Sequence, residues 1–165
     1  MNLKKIPQAR KLIERFLTAH TFGFLGMSNG EEPYVLPLTY AYLPGRILFH
    51  CALSGRKLNF LRANPRVCFT VGVQSGKTVH HTYGAQCRSE HDSVVCFGRA
   101  GIIENPAERR RTLQAFNRKL TRRPKPISLK AAEQCLAVVI TIERATLRQK
   151  RRGTEWFEGE CVFRR

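Results

Sequence analysis

The triplet Gly55-Arg56-Lys57 is the stretch best equipped for chemistry, because adjacent cations follow a glycine that lets a ligand approach the backbone. At the start of a helix, free N–H groups and the helix dipole would add to the side-chain charges and make a phosphate site. In so basic a chain the same triplet also reads as a solvated helix start. Upstream, His50 carries an imidazole, which can give and take a proton near neutral pH. It reads either as a partly buried histidine satisfied by a backbone carbonyl or as the wall of an active site. A looser group, His80, His81, Cys87, His91 and Cys96, contains metal-ligand types. Its spacing matches no common ligand frame, so a polar crossing loop is the default reading.

These residues need elements to hold them. Tyr34 to Tyr42 alternates, with Tyr34, Leu36, Leu38, Tyr40 and Tyr42 on one face and Val35, Thr39 and Ala41 on the other, which predicts a strand. Pro37 cannot donate to a ladder and marks an edge or a bulge. Leu43-Pro44-Gly45-Arg46 fits a type II turn, returning Arg46 to Cys51 as a hairpin partner. A short helix with Leu58 and Leu61 on one side opens at Gly55-Arg56-Lys57 and stops at Pro65.

The remaining sequence reads as scaffold. Thr21 to Met27 is a strand entering a turn at Ser28-Asn29-Gly30, and its Gly23 and Gly26 suggest close strand or ligand approach. Arg66 to Val73 puts Val67, Phe69, Val71 and Val73 on one face, and Ser93 to Ile103 is a further strand. Asn105-Pro106-Ala107-Glu108 has the N-cap, proline and acid that start a helix, here running to about Leu120. Pro124 and Pro126 break the chain, and Leu136 to Ile142 is the most apolar strand before a basic run and a tail containing Trp156. The expectation is a mainly β, α+β fold: an antiparallel barrel of about six strands with about three flanking helices.

With 165 residues, 42% of them hydrophobic, residues 1–165 read as a single domain. No apolar run is long enough for a membrane span, and Lys4 and Lys5 precede an amphipathic pattern (Leu12, Ile13, Phe16, Leu17) rather than a signal-peptide core, so a cytoplasmic protein is expected. The six cysteines are scattered through predicted strands and read as small hydrophobes in a reducing compartment. A net charge of +17, with basic runs at 109–111, 118–125 and 148–152, will attract polyanions. Aromatic residues do not interleave with these runs, so nucleic acid is expected to bind only non-specifically.

Taken in order, Gly23-Phe24-Leu25, Pro33 to Thr39, Phe49-His50-Cys51, Gly55-Arg56-Lys57, Asn64-Pro65-Arg66-Val67 and Ser93-Val94-Val95 with Phe97-Gly98-Arg99-Ala100 resemble the pyridoxamine 5′-phosphate oxidase-like, FMN-binding split-barrel superfamily, and within it the nitroimidazole-reductase-like branch. The resemblance implies that Tyr34, Val35, Leu36, Pro37, Leu38 and Thr39 support the flavin ring and ribityl chain, partly through backbone groups. By the same resemblance, His50 and Cys51 fall where the oxidases place a Tyr-Thr pair against the cofactor, Arg56 and Lys57 match the pair that holds the FMN phosphate, and Ser93 stands at a flavin-touching glutamine. His50 matches a histidine of the nitroimidazole-reductase-like branch, which implies a catalytic role. Where the oxidases carry a lysine for pyridoxal phosphate this chain has Thr39, and their C-terminal motif is only echoed by Trp156-Phe157-Glu158-Gly159, which points away from vitamin B6 as substrate. His91-Asp92 stands where the branch often has a tyrosine followed by a variable residue.

The implied protein is an FMN oxidoreductase taking electrons from NAD(P)H to a small-molecule acceptor, with its flavin in a groove between the subunits of a homodimer. Other classes stay open: a haem-binding split barrel using His50 or His91 as axial ligand, a deazaflavin F420 protein, or a non-enzymatic, basic nucleic-acid-associated protein.

Overall fold

Strand order follows from which segments can bury a face twice over. The computed structural model describes residues 3–5, 8–79, 88–150 and 156–163. In chain order these form β1 (Leu3–Lys5), α1 (Ala9–Ala19), β2 (Phe22–Ser28), β3 (Pro33–Thr39), β4 (Ala41–Leu43), β5 (Arg46–Cys51), α2 (Arg56–Ala63), β6 (Arg66–Val79), β7 (Arg88–Ile103), α3 (Pro106–Leu120), α4 (Leu129–Ala132), β8 (Leu136–Lys150) and β9 (Trp156–Val162). The sheet runs β1-β9-β8-β7-β6-β2-β3, and β5 pairs with both β4 and β8. Every pairing is antiparallel except β1 on β9. The result is the expected split barrel, mostly antiparallel and flanked by helices.

The long strand β8 makes the curvature possible. Its first half, Leu136 to Thr141, pairs with β5, and its second half, Arg144 to Lys150, pairs with β9. Between them β7 shifts register at Phe97/Gly98. A Cβ on Gly98 would collide with the Thr141 carbonyl, so only glycine lets β7 and β8 close up at this bulge. Gly23 plays the same part opposite the Phe69 ring, which makes it a packing glycine rather than a ligand approach.

Leu25, Ile47, Phe49, Phe69, Val94, Ile140 and Ile142 fill the barrel. Helix α1 caps it with Ile13 and Leu17, both fully buried. The Tyr40 hydroxyl, also fully buried, donates to the Leu17 carbonyl at 2.9 Å and ties that helix to the barrel. A second, smaller core under α3 joins Leu113, Ala132 and Ala137. Helix α3 starts where expected, with Asn105 Oδ1 accepting from the N–H groups of Ala107 and Glu108.

Several boundaries differ from the sequence reading. The expected strand Tyr34 to Tyr42 breaks at Tyr40: β3 pairs with β2, whereas β4 pairs with β5. The Tyr40 N–H still bonds the Thr21 carbonyl, the next rung along β2, and beyond it the chain changes partner from β2 to β5. Strands β6 and β7 extend to Val79 and back to Arg88, and the tail around Trp156 is a strand. The basic run from Arg148 does not follow the last strong strand. Arg148 and Lys150 lie within β8, with Arg148 ion-paired to Glu158 of β9 at 3.4 Å. The turn at Pro44-Gly45 forms as expected, Gly45 adopting φ +72° between the paired Leu43 and Arg46. No helix among the described residues is long and apolar enough to cross a membrane.

Candidate flavin site

Two edges frame the site. Strand β3 ends the sheet path, and the Phe49–Cys51 end of β5 reaches past its partner β4. Across this seam lies a cleft of about 250 Å³, lined by Tyr34 and Leu36 from β3, Cys51 from β5, and Ser54 to Leu58 from the loop and the start of α2.

Gly55 opens α2 at φ +130°, a conformation that L side chains rarely adopt. Its carbonyl accepts from the N–H groups of Leu58 and Asn59, at 3.0 and 3.3 Å. No side chain caps this end, in contrast to α3, so the first N–H groups of α2 lie open at the cleft. Arg56 and Lys57, the first residues of the helix, flank it. The Arg56 guanidinium lies 4.8 Å over the Tyr34 ring and 5.5 Å from the Phe60 ring, and its Nη2 donates to Glu32 Oε1 at 2.7 Å. Lys57 Nζ sits 5.3 Å from the Phe49 ring. Stacking on aromatic faces holds both cations near the seam without neutralising them.

Cys51 is buried, and that burial pushes its thiol up, with the Lys57 ammonium pulling partly the other way. It is therefore a protonated, inert wall at neutral pH rather than a nucleophile.

Alternation along β3 separates its residues. Tyr34, Leu36 and Leu38 are half-buried against the core, whereas Val35, Pro37 and Thr39 are exposed on the outer sheet face. Pro37, opposite Phe24, sits on the edge strand that the sequence anticipates. Ser93, on β7 opposite Gly72 and Arg148, shares that outer face two positions from Val95. It does not line the cleft. His50 is exposed, on the opposite face of β5 from Cys51, with its ring edge-on to Phe116 of α3 at 5.2 Å. Among the described residues no hydrogen bond holds it, unlike a histidine satisfied by a carbonyl. The structure thus joins Tyr34, Leu36, Cys51, Arg56 and Lys57 in one cleft and leaves His50 and Ser93 to adjoining surfaces. His80, His81 and Cys87 lie outside the described residues.

Sequence reasoning missed Glu32 and Phe116. Glu32 was detectable, because Glu31-Glu32 is an acidic pair in a chain where acids are scarce. Its carboxylate occupies the guanidinium that a phosphate would use. The pair is exposed on both sides and worth about 0–1 kcal/mol. Glu32→Gln is therefore expected to tighten the binding of added FMN by up to about fivefold in a fluorescence titration. Weaker binding in that variant would mean that Glu32 holds the ligand or aims Arg56.

The sequence profile of the pyridoxamine 5′-phosphate oxidase family matches residues 9–149. No match is found among curated proteins. A candidate 5-nitroimidazole antibiotic resistance protein from Bacteroides thetaiotaomicron superposes with a TM-score of 0.73 at 23% identity, over 86% of this chain and 84% of that one. An FAD-binding protein from Mesorhizobium loti gives 0.63 at 25% identity, over 85% and 94%. An FAD- and haem-binding protein from Mycobacterium smegmatis gives 0.74 at 14%, over 89% and 75%.

Proposed function

This chain belongs to the pyridoxamine 5′-phosphate oxidase family, and we propose that it is an FMN-dependent oxidoreductase that passes electrons from a nicotinamide to a small acceptor of the nitroimidazole type. The observation that carries this reading is the seam cleft, where Arg56, Lys57 and the uncapped start of α2 converge on one anion-sized space beside an edge strand. Arg56 and Lys57 hold the phosphate with charge-assisted hydrogen bonds, and the open N–H groups of α2 add donors aimed at the same oxygens. The free edge of β3 supplies backbone donors and acceptors to the ribityl chain and ring, over Tyr34 to Thr39. Bound there, the flavin would supply the hydride and electron transfer. Cys51 walls the phosphate end and excludes water. His50 is the residue we assign to positioning or protonating the acceptor. Thr39 offers no charge for a second phosphate, which fits an acceptor other than vitamin B6.

FAD is the rival ligand, since similar folds include proteins named for binding it. The same clamp would meet its pyrophosphate. The absorbance spectrum of the freshly purified protein tests the reading: two broad flavin bands are expected, with FMN as the mass released on denaturation. A lone Soret band would replace the reading with a haem protein, and a colourless protein that takes up no added flavin would end it.

A homodimer completes the proposal. The outer face of β2 and β3 exposes Phe22 (55%), Phe24 (45%) and Val35 (61%), the two phenylalanine rings packed edge-on at 5.8 Å. Next to it an apolar cleft of about 410 Å³ runs between Gly26, Val35, Val67 and Phe97. Ser93 shares this face, so a partner docked in two-fold fashion would bring its own Ser93 towards the seam. Sedimentation at micromolar concentration should give a dimer, and Phe24→Arg, which sets like charges near the two-fold, should give monomers with weakened flavin binding. A monomeric wild type that binds flavin stoichiometrically would defeat this part. Free thiols at Cys51, Cys68, Cys96, Cys135 and Cys161 suit a reducing, cytoplasmic setting.

A further inference from the structure

The cations of α3 and of the segment after it are crowded together on the surface. Arg10, Arg56, Arg62, Arg99, Arg144 and Arg148 each face a glutamate across an ion pair. Arg110, Arg111, Arg118, Arg122, Arg123 and Lys125 are all exposed, and among the described residues none of them has an ionic partner. Exposed cations with no such partner also occur elsewhere, at Lys11, Arg15 and Arg46 among others, but here they crowd along one helix and the segment after it.

That place is a groove. Arg110, Gln114 and Arg118 recur every four residues along one stripe of α3, with Arg111 beside them, and Pro124, Pro126 and Ile127 form the opposite wall of a cleft of about 500 Å³. The walls are tied together at fixed spacing. Gln114 accepts from the Ile127 N–H at 2.7 Å and donates to the Lys125 carbonyl at 3.3 Å, and Asn117 donates to the same carbonyl at 3.4 Å. Prolines in the far wall keep it extended and remove competing N–H donors. From Arg110 to Arg118 the helix axis rises about 12 Å, enough to meet more than one successive phosphate of a strand.

We infer that this groove binds the phosphate backbone of a nucleic acid strand, through Arg110, Arg111 and Arg118. Guanidinium forks match phosphate oxygens in pairs. No aromatic side chain lines the groove to stack a base, so the strand is read by charge and spacing and not by sequence. A lipid surface fits less well, because the arginines line a cleft rather than crown a flat, apolar face. The inference is independent of the flavin reading, since none of these residues lines the seam cleft.

Fluorescence anisotropy with a labelled oligo(dT) strand tests it across a salt series. Replacing Arg110, Arg111 and Arg118 with alanine should flatten the log affinity against log salt slope by about 2, at ~0.7 per phosphate contact, and lower affinity at least tenfold near 0.1 M salt. Replacing Lys11, Arg15 and Arg46, exposed cations outside the groove, makes the same charge change and should cost far less. Gln114→Ala removes no charge but unties the wall, and should weaken binding several-fold. Flavin content and melting temperature of the groove variant should match wild type. Inorganic polyphosphate should displace the strand about equally per phosphate, and a mixed-sequence strand should bind like oligo(dT). Equal losses in the two triple variants, an unchanged slope in the groove variant, or a strong base preference would overturn the inference.

Discussion

Replacing Arg56 and Lys57 together with alanine is expected to weaken flavin binding by at least tenfold, against about 10²–10⁴-fold at nominal values. Each charge-assisted contact to a phosphate contributes roughly 1.5–3 kcal/mol, and each 1.4 kcal/mol is a factor of ten. Two corrections pull the figure to the low end. The Arg56 side chain is 58% exposed, so water screens it, and breaking its pair with Glu32 consumes part of what the phosphate returns. The open N–H groups of α2 survive the substitution and keep a residual anion site. Folding should be nearly untouched, because Arg56 and Lys57 only lie over the Tyr34, Phe60 and Phe49 rings, and the rings themselves stay in place. Isothermal titration of the apo-protein gives the affinity and calorimetric melting gives the control. Unchanged flavin affinity in a folded double variant would remove Arg56 and Lys57 from the site.

How far the sequence reveals this site depends on what kind of contact builds it. The basic triplet is local: a glycine followed by two cations at a helix start is visible in a tripeptide, and the structure opens α2 there as read, adding only that Gly55 takes φ +130°. The same holds for the Pro44-Gly45 turn and the Asn105 cap, each fixed by neighbours within a few residues. Long-range contacts are not written this way. Alternation from Tyr34 to Tyr42 runs straight through the break between β3 and β4, because what changes there is the pairing partner, from β2 to β5, and alternation carries no sign of it. Likewise Arg148 reads as a solvated charge until Glu158 of β9 lies opposite it. Glu32 and Phe116 were missed because their roles exist only once β3 meets α2 and β5 meets α3. The seam itself, a gap between edges, has no residue of its own to announce it.

His50→Ala is the variant that separates chemistry from scaffold. A buried histidine would lose a hydrogen bond and leave a cavity, costing about 1–3 kcal/mol. The observed imidazole is exposed, with its ring set edge-on to Phe116, so its removal should cost under about 1 kcal/mol of stability. Flavin binding should also hold, because His50 lies across β5 from the cleft that Cys51 lines. What should fall is turnover. A positioned acid or base is worth about 10²–10⁴-fold, so nicotinamide-dependent reduction of a 5-nitroimidazole should slow by at least ~10²-fold in kcat with flavin content unchanged. His50→Gln keeps a donor of similar reach but cannot carry the proton. It should recover activity if the ring only orients the acceptor, and stay slow if it transfers a proton. Phe116→Ala, which frees the ring without deleting it, should give an intermediate loss. Full activity in His50→Ala, measured per mole of bound flavin, would return His50 to the outer wall of the barrel and leave the acceptor side to other residues.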